Sequence, residues 1–380
     1  MHRWFRARRR RLAAARIACA AVIVLAVIAP AGLAEPGEPG GDAASLTRTF
    51  DGGVDGLVGA DYQRTVRLSD GRVLWFVQDA VVTGTDGRTH LVHNAGILQH
   101  GPCFTLLRGG TAGRPAAWLA SELTTPYERW FWPLGSALAA DGTLRVLLAE
   151  MHERGDHYLA RSEPVATWMV TLDPVTLAVR ALGPAPDASA ALYGWSVASD
   201  RRFTYLFSHC HRQFGFGLLG HDPCTAEVRV ARLPRGELDR APQYWDGHDW
   251  VDDPVRAVNV APTSGPDGER RVVNPMQFAY ANGRWLAVTK EGDWWGTTVY
   301  LDRAARPTGP WTTASRLRPR TLGDPSEHNT YFASVVAVHW WTAVVGLSNN
   351  RWDGRPSADY RPTFVTVPLA AWGRPRRDQR

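Results

Sequence analysis

Short apolar runs separated by tight polar turns recur along most of the chain. Residues 62–68 and 72–77 flank the turn Ser69-Asp70-Gly71. The same unit returns at 131–139 and 143–149 around Ala140-Asp141-Gly142, and at 193–198 and 202–208 around Ser199-Asp200-Arg201. A fourth pairs 276–280 with 284–289 across Ala281-Asn282-Gly283. The fifth joins 331–338 to 340–347 at His339, without a turn glycine. Apolar runs bounded by Asp-Gly or Asn-Gly read as β-hairpins, because glycine supplies the left-handed residue the turn needs. Further strand-like segments follow at 167–172, 227–233, 297–301 and 363–367.

Five such units, with no long helical periodicity beyond the leader, predict an all-β chain folded as a five-bladed β-propeller. A strand at 46–50 is expected to complete the ring by joining the last blade. A β-sandwich is the rival, but sandwiches rarely repeat one supersecondary unit over so many residues. The expected organisation is a leader at 1–34, a flexible Gly- and Pro-rich linker at 35–45, the propeller at 46–373 and a basic tail at 374–380.

The leader sets the compartment. Arginines at 8–11 precede thirteen apolar residues at 17–29, and small-residue exits follow at Ala29-Pro30-Ala31 and Gly32-Leu33-Ala34. That is a signal-peptide pattern; an uncleaved anchor over 17–34 is the alternative. Either places the body outside the cytoplasm, secreted or on the outer face of the cell envelope. Cysteine usage fits an oxidising compartment. With Cys19 in the leader, Cys210 and Cys224 are expected to pair across a Gly-rich loop, leaving Cys103 over and buried.

Charge removes two classes of partner. Seven of the basic residues lie in the first sixteen positions, and without them the formal charge falls from +6 to −1. A nucleic-acid footprint and a polybasic membrane patch are both excluded for the body. The 17 tryptophans point elsewhere, since indole faces pack against the C–H faces of sugars as well as against a core.

In a propeller the first strand of each blade starts at one mouth of the channel, and the second returns to it. Residues just outside that hairpin therefore face the mouth. They are Asp61 and Asp79; Trp132 and Glu150; Tyr193 and His209; Asn274, Lys290 and Glu291; and Glu327, His328, Asn329 and Asn349. Trp294 sits beside Trp295 in the Gly-flanked loop after Glu291. A three-residue turn at Ser69-Asp70-Gly71 makes paired positions sum to 140 and sets Asp61 opposite Asp79. A two-residue turn would put the acids on opposite faces. Two close carboxylates cannot both ionise freely, and such a pair suits glycosidic bond cleavage. The plainer reading has both acids capping turns or binding a structural arginine. Glu150, Glu291 and Glu327 are the reserve acids. Gly194-Trp195-Ser196-Val197-Ala198 mimics a nucleophile elbow but continues as a strand, which that motif does not allow.

The run from Asp61 and Tyr62 through Asp70-Gly71-Arg72-Val73-Leu74-Trp75-Phe76-Val77-Gln78-Asp79 resembles the opening blade of bacterial five-bladed propellers of the endo-D-arabinanase type, long catalogued as a domain of unknown function. Looser likenesses lie at Tyr193-Gly194-Trp195, Trp245-Asp246-Gly247 and Thr308-Gly309-Pro310-Trp311. The resemblance implies that the two blade-one aspartates, here Asp61 and Asp79, are catalytic. Gln78 replaces the usual glycine and Ala80 a common hydroxyl residue. The expectation is a secreted glycoside hydrolase acting on a furanoside-rich polysaccharide, endo-acting on D-arabinan; the alternative is a non-catalytic carbohydrate-binding propeller. No cofactor is required. A structural calcium ion is compatible with the channel, but no motif indicates one. The expected partner is the polysaccharide, at the cell envelope, and the chain is expected to be a monomer.

Overall fold

The computed structural model describes residues 42–125, 128–153, 162–186, 192–209, 227–268, 271, 273–291, 298–318, 328–351 and 360–369, without the side chains of 162–163, 273–275 and 328. The leader, the basic tail, Cys210, Cys224, Trp294 and Glu327 lie outside the described residues.

Residues 46–50 are not the expected strand. They form the end of a helix, α1 (Ala43–Phe50), which also takes in the end of the expected linker. Asp42 caps it by accepting from the Ser45 amide at 2.6 Å, and Leu46 and Phe50, four residues apart, are buried on one face. Five residues are too few for periodicity to separate helix from strand. The destination matches the expectation, because Phe50 packs 5.3 Å from the Phe364 ring near the C-terminal end of the chain.

The strands then run in chain order. They begin β1 (Leu57–Ala60), β2 (Arg64–Arg67), β3 (Val73–Val77), β4 (Ala80–Thr83), β5 (Thr89–Val92), β6 (Ala95–His100) and β7 (Cys103–Leu107). A short pair, β8 (Gly109–Gly110) and β9 (Pro115–Ala116), precedes β10 (Arg129–Leu138), β11 (Leu144–Glu153), β12 (Ser162–Leu172) and β13 (Val179–Pro184). Next come β14 (Ser196–Ser199), β15 (Phe203–Phe207), β16 (Val230–Pro234), β17 (Gln243–Trp245) and β18 (Trp250–Val251). The last are β19 (Val273–Ala281), β20 (Arg284–Glu291), β21 (Val299–Ala304), β22 (Thr312–Leu317), β23 (His328–Val338), β24 (Thr342–Arg351) and β25 (Thr363–Pro368).

Five antiparallel sheets follow one another: β2-β3-β6-β7, β10 to β13, β14 to β18, β19 to β22, and β23 to β25. Every hairpin expected from sequence opens one of them. A side sheet, β1-β4-β5, hangs on the first. Five apolar cores join neighbouring sheets. Leu74 and Phe76 meet Phe131 and Val146; Trp132 and Leu134 meet Trp195 and Leu206; Phe207 and Val230 meet Phe278 and Trp285. Leu286 and Val288 meet Ala333 and Val345, and the fifth core brings Val336 and Phe364 of the last sheet against Val73 and Trp75 of the first. Phe207 and Phe278 stack with centroids 3.6 Å apart. Beside the fourth sheet, the fully buried Arg271 is paired with Asp302 of β21 at 2.9 Å.

Turn chemistry fixes the registers. Gly71 has φ +87°, Leu68 N–H donates to the Arg72 carbonyl at 2.8 Å, and Arg67 faces Val73. Asn282 and Gly283 both have positive φ and close a two-residue turn between Ala281 and Arg284, one residue tighter than the sequence reading. Cys103 is half-buried and disulfide-bonded, so it is not the leftover buried thiol expected.

Candidate active site

The first hairpin decides the site. Its register carries past β2 and β3, so Asp61 N–H donates to the Asp79 carbonyl at 3.1 Å and Ala60 faces Ala80. The three-residue-turn register is therefore the observed one. Asp79 N–H in turn donates to Asp61 Oδ1 at 2.9 Å, tying one acid's side chain to the other's backbone. Tyr62, next to Asp61, has φ +48°, a left-handed conformation that costs a non-glycine residue on the order of 1–2 kcal/mol. Its N–H donates to Ser348 Oγ at 2.9 Å on the last sheet, which holds the chain in that turn. Strain beside a candidate acid is where function is expected to store it.

A second register meets at the same residue. The β4–β5 hairpin leaves the first sheet after β3 and returns at β6, with Ala80 facing Val92 and Val77 facing Ala95. Asp79 and His93 stand across its neck, with His93 Nδ1 2.9 Å from Asp79 Oδ1. Trp132 Nε1 donates to the same oxygen at 2.8 Å, and the His93 ring stacks on Trp130 at 4.2 Å. Among the described residues Asp79 Oδ2 has no donor, and the side chain is 22% exposed.

Asp61 is the opposite case. It is buried, and its Oδ2 accepts from the Tyr331 hydroxyl at 2.6 Å. Burial, and after it the charge of Asp79, push its carboxyl up to about 7, while the Tyr331 hydroxyl and the Asp79 amide pull it down. One acid thus holds a proton near neutrality, and the other presents an oxygen to solvent.

The sequence matches the family described as "Domain of unknown function (DUF5005)" over residues 48–370. The chain belongs to this family. No curated protein is significantly similar to it. Among solved structures it is similar to a Bacteroides ovatus ATCC 8483 protein described provisionally as a hydrolase, with TM-score 0.65, 14% identity, and 90% of this chain and 95% of that one covered. That likeness establishes a shared all-β fold. A GH43_1 enzyme from Xanthomonas citri matches with TM-score 0.47, 13% identity and coverages of 86% and 92%. A xylan beta-1,4-xylosidase from Bacillus halodurans C-125 follows with TM-score 0.45, 13% identity and coverages of 83% and 53%.

Several sequence candidates gather around the acids. His328 opens β23 three residues before Tyr331, so that strand starts at the Asp61 end; its side chain is not described. His209 is buried with its ring 4.1 Å from Trp195, which packs edge-on against Tyr62 at 5.8 Å. Asn329 is buried, and its Nδ2 has no acceptor among the described residues. Gln78 reaches the Pro133 carbonyl at 3.3 Å with Nε2 and leaves Oε1 unpartnered among the described residues.

Others do not gather there. Glu150 faces Phe131 across β10 and β11, on the sheet face away from Trp132. Its oxygens are taken by Arg129, by His152 at 2.8 Å and by Trp168 at 2.5 Å, which makes it a clamp within the second sheet and not a lining acid. Tyr193 is buried in the core with its ring 5.1 Å from Tyr244, so it packs where lining was expected. Asn349 accepts from Thr330 and donates to the Arg361 carbonyl, a bond set internal to the last sheet. Lys290 is buried beside the Glu291 carbonyl. Glu291 closes β20 opposite Val273, and Asn274 lies in β19 with its side chain not described. Among the described residues no group of three His, Cys, Asp or Glu could hold a metal ion.

Sequence reasoning missed His93, Tyr331 and Tyr360. The Asp86-Gly87 turn between 80–83 and 89–92 is the signal that could have found His93, since it makes residues 79 and 93 opposed. Tyr360, whose hydroxyl donates to the Asp79 carbonyl at 3.2 Å, comes from beyond the last hairpin and carries no local signal.

Proposed function

We propose that this chain is an exported glycoside hydrolase built as a five-bladed β-propeller, with Asp61 as the proton donor and Asp79 as the nucleophile or base. The observation that carries the reading is the asymmetry of one opposed pair. Asp61 is buried and raised to about 7, whereas Asp79 is held at one oxygen by His93 and Trp132 and is open at the other. Pairs pushed apart in this way divide acid and base duties in glycosidic cleavage. Asp61 Oδ1 accepts from the Asp79 N–H at 2.9 Å, which holds the two acids side by side, as a retaining mechanism needs. Asp79 then attacks the anomeric carbon as the glycosidic bond breaks and Asp61 protonates the leaving oxygen; water, deprotonated by Asp61, next cleaves the Asp79–sugar bond and releases the product.

The ring is supported by the five cores, of which the last joins the fifth sheet to the first. The shared fold with a protein described provisionally as a hydrolase agrees with the activity. The substrate follows the blade-one resemblance: a furanoside-rich polysaccharide, with D-arabinan the first to try. The buried donors Trp130 Nε1 and Asn329 Nδ2, unpartnered among the described residues, suit sugar hydroxyls. The leader argues for export to the envelope or medium, and the chemistry needs no cofactor.

The test is incubation with arabinans, xylans and galactans, reading new reducing ends. Product formed by the wild type and by neither Asp61→Asn nor Asp79→Asn supports the assignment. Saturable binding without product favours a non-catalytic carbohydrate-binding propeller, which the tryptophan content also fits.

A further inference from the structure

A cavity of about 450 Å³ runs between the first strands of the five sheets, from Arg64 to the turns at Ser69 and Gly142, the hairpin ends remote from Asp61. Three arginines reach its lining, Arg64, Arg67 and Arg235, and no Asp or Glu does among the described residues. A polar channel of one sign, walled by β-strands, focuses potential on its interior.

Arg64 is the unusual member. It is 6% exposed, and its Nη1 donates to the Tyr62 carbonyl at 3.0 Å and the Pro133 carbonyl at 3.3 Å. Its Nε and Nη2 are buried without an acceptor among the described residues. Among the described residues no carboxylate forms an ion pair with it; its guanidinium lies over the Trp195 and Phe332 rings at 4.9 and 5.1 Å. Rings offer a π face to the cation and nothing to its in-plane N–H groups. Ser334, also buried and on the same lining, leaves its Oγ unpartnered among the described residues.

A buried guanidinium with no carboxylate in hydrogen-bonding contact, and only the charges of Asp61 and Tyr62 nearby, is costly, and two orphaned donors add to that cost. Burial pulls Arg64 down to about 9 even though the charges of Tyr62 and Asp61 oppose it. The plain arginine–carboxylate solution appears elsewhere in the chain, at the buried Arg271 and Asp302, and is missing here. We propose that the channel binds a small inorganic anion, a halide or an oxyanion, which accepts from Arg64 Nε and Nη2 with the Ser334 hydroxyl as a further donor. A neutral water in that place would satisfy the donors and leave the charge unmet. Arg64 neighbours Asp61 through the Tyr62 carbonyl and feels its charge, but the site opens into the channel and does not rest on the hydrolase reading.

The test is thermal unfolding of the full chain against sodium bromide or sodium phosphate, with ionic strength held constant by sodium HEPES. The expected result is a saturable rise of several degrees in Tm, with half-saturation shifted at least tenfold by Arg64→Gln and several-fold by Ser334→Ala. Bromide acting alone identifies a halide site, and phosphate acting alone an oxyanion site. If Arg64→Gln does not fold, bromide-soaked crystals of the wild type decide, by an anomalous peak within hydrogen-bonding distance of Arg64. Equal Tm in all three salts, with no such peak, overturns the proposal.

Discussion

The Tyr331 hydroxyl donates to Asp61 Oδ2 across 2.6 Å, joining the first strand of the last sheet to the acid that precedes the first. A hydroxyl donating to a carboxylate favours its charged form, so this bond restrains a carboxyl that burial drives upward. Tyr331→Phe removes the restraint. Asp61 then holds its proton to higher pH, and the limb of the kcat/KM profile set by its deprotonation moves to the alkaline side. The stability cost is about 1 kcal/mol, the usual net value of one hydrogen bond. A pH profile of the variant that overlays the wild type would show that Asp61 is not the titrating acid.

Asp61 also makes the fold sensitive to pH. Its carboxyl titrates near 3.8 when unfolded and near 7 when folded, so the folded state holds the proton more tightly. The stabilisation is fully present below about 4, is lost as pH rises through about 7, and amounts to a few kcal/mol. In Asp61→Asn the amide can still accept from the Asp79 N–H and donate to the Tyr331 hydroxyl. The variant should lose activity, show a flatter stability profile between pH 4 and 7, and exceed the wild type in Tm at pH 8. Urea midpoints at pH 4.5 and pH 8 check this; parallel losses in both proteins rule it out.

How much of this was legible depended on sequence distance. Asp61 and Asp79 could be paired in advance because one short turn, with Gly71 at positive φ, fixes their register. The hairpins were legible for the same reason. Glu150 passed the same positional filter but was misplaced, because adjacent residues of a strand point to opposite faces and one position separates Ala149 from Glu150. Tyr331 and Tyr360 reach the acids only because the last sheet packs against the first, a contact between residues some 270 positions apart. The helix at Ala43–Phe50 was misread because two apolar residues four apart look alike in a short strand segment and a short helix.

Glu150 gives the control for the acid pair. Arg129, His152 and Trp168 hold it on the far face of the second sheet. Glu150→Gln should leave turnover within about twofold and lower stability by about 1–3 kcal/mol, the cost of leaving buried donors mismatched. Activity and Tm measured on one preparation separate the two effects. A hundredfold loss of turnover in a folded variant would return Glu150 to the catalytic candidates.

Asp79 depends on its donors in a graded way. Asp79→Asn removes the attacking oxygen and should lower kcat by at least 10³-fold, in the range general acid–base and nucleophilic groups contribute. His93 and Trp132 touch only Oδ1, which they fix while Oδ2 stays open. Trp132→Phe keeps the ring and loses the N–H, and should cost kcat about tenfold with KM little changed. His93→Gln keeps a donor within reach, whereas His93→Ala also removes the stack on Trp130 at 4.2 Å. Glutamine should therefore recover most of what alanine loses. Because both donors act on one oxygen, their effects should not add, and the double variant should fall short of the product of the singles. Steady-state kinetics on the four variants make the cycle. Full additivity, or a loss confined to KM, would mean that His93 and Trp132 bind sugar directly and do not position Asp79.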